Sequence, residues 1–183
     1  AGWKQESQRK EQCKQCEAGY YQKEDGFTLC KACLPGYFAN FIRSTNCADC
    51  RAGKFQSFSA QENCVEPRSG YAVEGKNAAM DSLCPAGKYG NSAGMRDRCN
   101  GCPQGWSQSA AGQIDCKTCV EGFYQNVPSQ TECKSCLPGY YSQSITATQC
   151  LNCVAGRFQQ YSQGTKCSFP RDGYFVSTDS ATV

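Results

Sequence analysis

Apolar side chains along this chain come in couplets and not in runs. Tyr20-Tyr21, Tyr37-Phe38, Phe123-Tyr124 and Tyr140-Tyr141 are each followed by a mostly polar stretch, and the one after Phe55, Gln56 to Asn63, is Ser- and Gln-rich. No such stretch repeats its apolar positions at the helical period, so the pattern predicts little or no helix. A couplet suits a short strand, in which neighbouring side chains point to opposite faces. The expected fold is therefore a series of short β and irregular segments.

The couplets are phased by cysteine and glycine. Taking Cys16, Cys33, Cys50, Cys84, Cys102, Cys119, Cys136 and Cys153 as openers, a glycine stands three residues after each, from Gly19 to Gly156. The openers lie 17 residues apart, apart from the gap between Cys50 and Cys84 and one extra residue after Cys84. The fifth residue is aromatic in Tyr21, Phe38, Phe55, Tyr89, Tyr124, Tyr141 and Phe158, with Ser107 the exception. The unit reads C-x-x-G-x-[YF]-x8-C-x-x-C, and independent positions keeping phase mark a repeat architecture. The glycine predicts a positive φ where the chain turns into the strand. The constant fifth ring suits packing on a disulfide and on the next module. The fourth residue varies, with Lys54, Lys88 and Arg157 at that place, which suits an outward face. Tyr20, Tyr37, Trp106, Phe123 and Tyr140 are thus a candidate interaction face. Each module is expected to touch only its immediate neighbours, as in a one-dimensional stack.

A longer period lies over the short one. A shift of 103 lays Leu34-Pro-Gly-Tyr37 on Leu137-Pro-Gly-Tyr140, and Pro67-Arg-Ser-Gly-Tyr71 on Pro170-Arg-Asp-Gly-Tyr174. Six modules make one super-repeat, and the chain reads as a window on a longer array. The expected division is a partial module at 1–15, three disulfide modules at 16–66 and a degenerate module at 67–83. Five disulfide modules follow at 84–169, then a partial degenerate module at 170–183.

Composition explains why cysteine is needed. Leu, Ile, Val and Phe together are 24 of 183 residues, against 17 Cys. So few apolar residues cannot offset the entropy of ordering the chain, and cross-links must do so. Disulfides persist in oxidising compartments, which predicts an extracellular or cell-surface protein. No apolar run is long enough to span a membrane, and no secretory leader pattern stands at Ala1. A net charge of +3 from scattered Lys and Arg argues against nucleic acid as a partner.

The exceptions in the repeat suggest how the cysteines pair. If each opener joins the cysteine that closes its module, the bridges are Cys16–Cys30, Cys33–Cys47, Cys50–Cys64, Cys84–Cys99, Cys102–Cys116, Cys119–Cys133, Cys136–Cys150 and Cys153–Cys167. Cys13 alone is left over, unpaired within this fragment. Where phase demands another opener the chain has Pro67, and where its partner should be it has Asp81. Joint loss is what a true pair predicts. Pro67 and Asp81 then mark either a degenerate module held by its neighbours or a joint. The rival reading is a four-thiolate zinc site such as Cys13, Cys16, Cys30 and Cys33. Grouping in fours leaves Cys47, Cys50 and Cys64 one ligand short, and the chain has no His to supply it.

Around CLPGYFANFIRSTNCADC, CPAGKYGNSAGMRDRCNGC and CLPGYYSQSITATQCLNC the chain resembles the ephrin type-A/B receptor-like cysteine-rich repeats. It is also similar to the single-disulfide module of tumour necrosis factor receptors. The resemblance implies a small disulfide-rich repeat, an extended rod-like stack of short β and irregular modules. It does not carry a function with it. With no His, no paired carboxylates and no phosphate loop, the sequence predicts neither an enzyme nor a cofactor. The expected role is an extracellular structural or assembly protein, part of a surface coat, stalk or filament such as a flagellar hair. The alternative is a receptor ectodomain binding a protein ligand. Expected partners are further copies or other extracellular subunits. N-x-[ST] acceptors are absent, so any glycan would be O-linked, for example near Ser144–Thr148.

Overall fold

The computed structural model describes residues 3–5, 13–24, 29–91 and 97–182, with 3–5 and 13 by backbone alone. Among these residues there is no helix. The ordered elements are antiparallel strand pairs, most of them two residues a side: Tyr20–Tyr21 with Lys31–Ala32, Tyr37–Phe38 with Ala48–Asp49, Tyr71–Ala72 with Ser82–Leu83, Lys88–Tyr89 with Asn100–Gly101, Trp106–Ser107 with Lys117–Thr118, Phe123–Tyr124 with Lys134–Ser135, and Tyr140–Tyr141 with Leu151–Asn152. Trp3–Gln5 pairs with Cys13–Gln15 over three residues. The chain divides into two compact units, residues 1–83 with 92–99 and residues 84–91 with 100–183.

Disulfides close the modules. They join Cys16–Cys30, Cys33–Cys47, Cys50–Cys64, Cys102–Cys116, Cys119–Cys133, Cys136–Cys150 and Cys153–Cys167, each with its Cα atoms 5.7 Å apart. Cys84 and Cys99 are also each disulfide-bonded. The side chain of Cys13 lies outside the described residues. Each bridge closes a loop of about fifteen residues and is worth about 3 kcal/mol in the chain-entropy model. All eight openers are buried to within 1 % exposure. The core is therefore a row of half-cystines, with few aliphatic side chains in it.

Backbone hydrogen bonds stitch the modules together in a fixed pattern. In the first unit Gly19 N–H donates to the Ala39 carbonyl at 2.7 Å, Gln22 N–H to Ser44 at 3.1 Å, and Arg43 N–H back to Cys16 at 2.9 Å. In the second unit the same places are taken by Gly122 to Ser142, Gln125 to Ala147 and Thr146 to Cys119. The contacts run further than a nearest-neighbour stack allows. A Cβ on Gly36 would collide with the backbone of Asn77, and one on Gly19 with Ala60, each two modules on. Gly36 also sits at φ +84°, in the left-handed region that favours glycine. Within each unit a module thus packs on the next and on the one after it. The expectation of contacts with immediate neighbours alone is corrected, because a chain this tightly turned brings its second-nearest loop over the glycine.

Four couplets do not divide into an inward and an outward ring, whereas in Tyr140–Tyr141 and Lys88–Tyr89 the first residue is exposed and the second half-buried. Tyr20 and Tyr21, Tyr37 and Phe38, Trp106 and Ser107, and Phe123 and Tyr124 are all half-buried. The buried place is the next residue along, six after the opener: Gln22, Ala39, Gln56, Val73, Gln108, Gln125, Ser142 and Val176 are all under 9 % exposed.

Candidate functional site

Glutamine is an unexpected residue to bury, and each one is used twice. Gln56 Nε2 donates to the Asn63 carbonyl at 2.7 Å, and its Oε1 accepts from Phe58 N–H at 3.1 Å. Gln108 and Gln125 make the same two bonds, to Asp115 and Ala110 and to Glu132 and Val127, and so does Gln159, only half-buried, with Lys166 and Tyr161. Gln22 does so with Leu29 and Glu24. A buried amide must find partners for both ends, and here the polar loop supplies them. Sequence reasoning passed over these residues, although their phase with the openers was visible. The brace has an outward consequence: it holds the backbone of the residue that projects from the loop. In two modules that residue is a large, exposed aromatic, Phe58 at 72 % and Tyr161 at 70 %.

Exposed apolar side chains also recur directly after the opener. Leu34 in the first unit, and Val120, Leu137 and Val154 in three successive modules of the second, all stand in solvent. The sequence-derived aromatic face is less free than these. Tyr20, Tyr37, Trp106 and Phe123 are half-buried, and Tyr140 is exposed at 39 %.

Pro67 and Asp81 come together across the module that lacks a disulfide. Pro67 is fully buried in the opener's place. Asp81 receives Arg68: Nη2 donates to Oδ1 at 3.2 Å, while Nε and the backbone N–H both donate to Oδ2 at 3.3 Å. The Asp81 side chain is 6 % exposed, and the Arg68 guanidinium lies over the Tyr71 ring, 4.1 Å from its centroid. The hydrogen bond to Asp81, with its charge, pushes the guanidinium above its usual pKa range. A fork-to-fork ion pair thus closes the loop that cysteine closes elsewhere. The residue that sequence reasoning missed is Arg68, beside the lost opener and thirteen before Asp81.

Proline has a second effect in the same place. In other modules the opener's N–H donates to the glycine carbonyl of the preceding module, as Cys50 does to Gly36 at 2.9 Å. Proline has no N–H to give. The preceding strand pair shrinks to a single bridge, Phe55 to Val65, and in the second unit Phe158 to Ser168 before Pro170. A cavity of about 390 Å³ opens beside the clasp, with Phe55, Phe58, Val65, Arg68 and Asp81 in its wall.

The cysteines of the zinc rival do not stand as free thiolates. Cys16, Cys30 and Cys33 are each spent in disulfides. Among the described residues no helix is long and apolar enough to cross a membrane.

Comparison with protein families gives a match to the model described as tyrosine-protein kinase ephrin type A/B receptor-like, over residues 5–50 and 107–149. No curated protein matches the chain.

Proposed function

We propose that this chain, whose repeats belong to the ephrin type A/B receptor-like cysteine-rich family, is an assembly subunit of an extracellular coat, stalk or filament. The family is one of receptor-like cysteine-rich repeats and not a catalytic one, which supports a protein-binding or structural role at or outside the cell surface. Disulfide closure in module after module agrees with an oxidising location.

The observation that carries the finer reading is the periodic exposure of apolar side chains. Val120, Leu137 and Val154 occupy one place in three successive modules, in solvent each time. A partner with the same repeat, such as a second copy, would meet them in register; a discrete ligand needs no such periodicity. Repeating contacts of modest strength add up along an array. Ser144 and Thr148, both exposed, are the places proposed for O-linked glycans. The joint at Pro67 and Asp81 would let an assembled array bend at an ionic link between covalent ones.

Sedimentation of the secreted chain tests the assembly reading. Concentration-dependent self-association is expected, and Leu137→Asp is expected to weaken it at least tenfold. A chain that stays monomeric at high concentration, or a variant that associates as well as the parent, would count against it. The family description itself favours a second reading, a receptor ectodomain, which predicts a stoichiometric complex with a protein ligand and no self-association.

A further inference from the structure

The two copies of the super-repeat differ in charge at one groove. In the second unit a cavity of about 590 Å³ is walled by Tyr141, Gln143, Asn152, Arg157, Lys166 and Phe169. It holds two cations and no carboxylate. The Arg157 guanidinium lies over the Phe169 ring, 4.4 Å from its centroid, so it is oriented without being neutralised. The counterparts 103 residues earlier are Phe38, Asn40, Asp49, Lys54, Asn63 and Glu66, with Arg51 where the second copy has Val154. There Lys54 Nζ is held by Glu66 Oε1 at 3.2 Å. The earlier set carries two acids and two bases. The later set has exchanged both acids, for Asn152 and Phe169, and carries a net charge of plus two where the earlier set carries none.

We infer that this groove binds an anionic sugar, a sulfate- or uronate-bearing stretch of polysaccharide. A concave site lined by one sign of charge concentrates ligands of the other. Arg157 and Lys166 supply charge-assisted hydrogen bonds to a sulfate or carboxylate. Gln143 and Asn152 supply amide donors and acceptors of the kind that hydroxyl groups need. Tyr141 and Phe169 supply flat apolar walls against which the C–H face of a sugar ring packs. A peptide is the poorer fit. The strands here, Tyr140–Tyr141 and Leu151–Asn152, are two residues long and give an extended chain almost no edge to join. Val154, which the assembly reading uses, also lines this groove, but the inference does not rest on self-association: a monomeric chain is expected to bind the sugar.

The test is titration of the whole chain with a heparin-derived tetrasaccharide, tetragalacturonate and neutral cellotetraose. The anionic probes are expected to bind at least tenfold tighter than cellotetraose, and to weaken as salt rises. Binding by tetragalacturonate assigns the contact to carboxylate, and binding by heparin alone assigns it to sulfate. Asn152→Asp with Phe169→Glu, which restores the first copy's acids, is expected to lower affinity at least tenfold, and so is Arg157→Ala with Lys166→Ala. All four side chains are exposed, and an unchanged disulfide map shows that the variants fold. Equal binding of charged and neutral probes, or binding that survives both double variants, overturns the inference. So does tighter binding of a sulfotyrosine peptide in the same groove.

Discussion

Replacing Gln56 by Leu isolates the work of the buried glutamine. Leu has nearly the same volume, so the substitution leaves no large cavity, and the Cys50–Cys64 bridge is untouched. What is lost is the pair of hydrogen bonds to the Asn63 carbonyl and the Phe58 N–H. Each is worth about 1 kcal/mol net, and more where the stranded group stays dry. Asn63 and Phe58 lie in the exposed part of the loop, so water can reach both groups once the loop loosens. The expected cost is about 2 kcal/mol, felt within one module and not across the unit. Converted at 1.4 kcal/mol per factor of ten, that is about a thirtyfold faster amide exchange at Phe58. Hydrogen exchange read peptide by peptide measures it, and Gln125→Leu should reproduce it at Val127, whose N–H the Gln125 Oε1 accepts at 3.2 Å. Exchange at Phe58 that changes less than threefold would refute the brace. Acceleration spread evenly over the whole unit would refute its local character.

Other perturbations probe the remaining contacts. Gly36→Ala forces a Cβ into the Asn77 backbone at a positive φ and is expected to cost about 2–4 kcal/mol. Gly75→Ala, at φ +77° with open space around it, should cost only about 1 kcal/mol; equal shifts in thermal midpoint would contradict the contact between second-nearest modules. Thr146 holds φ 67°, which a β-branched side chain resists, and Thr146→Gly is expected to stabilise by about 1 kcal/mol in chemical denaturation. Pro67→Cys with Asp81→Cys should form a new bridge, seen as the loss of two hydrogens by mass, and stabilise its module by about 3 kcal/mol, less what the lost Arg68–Asp81 clasp contributed. Two free thiols in that variant would show that the clasp does not stand where a disulfide could.

Much of this architecture was legible because its determinants are local. The opener, the glycine three residues on and the aromatic two beyond that recur in phase, and a loop of fixed length needs nothing from elsewhere to announce itself. The scarcity of aliphatic residues likewise pointed to covalent staples and to an oxidising location. Legibility ended where burial and bonding depend on how a loop closes in space. Gln56 reads as one more polar residue in a Ser- and Gln-rich stretch, yet it is buried because its module closes over it. Pro67 and Asp81 read as a missing pair, because the bond that replaces it comes from Arg68, a position that the cysteine spacing does not mark.

The groove of the second unit makes the same division. Its charge was present in the linear order, in the exchange of Asp49 and Glu66 for Asn152 and Phe169. That these positions line one cavity with Arg157 and Lys166 was not, since they come from segments separated by the strand and the closing bridge. Spacing along the chain decides what each module is made of and how long its loop is, because covalent geometry and turn preference act over a few residues. Which side chains are buried, and which meet across a groove, is decided only when a loop folds onto the second module before it. Burial and electrostatics act through space, and the linear order does not carry those distances.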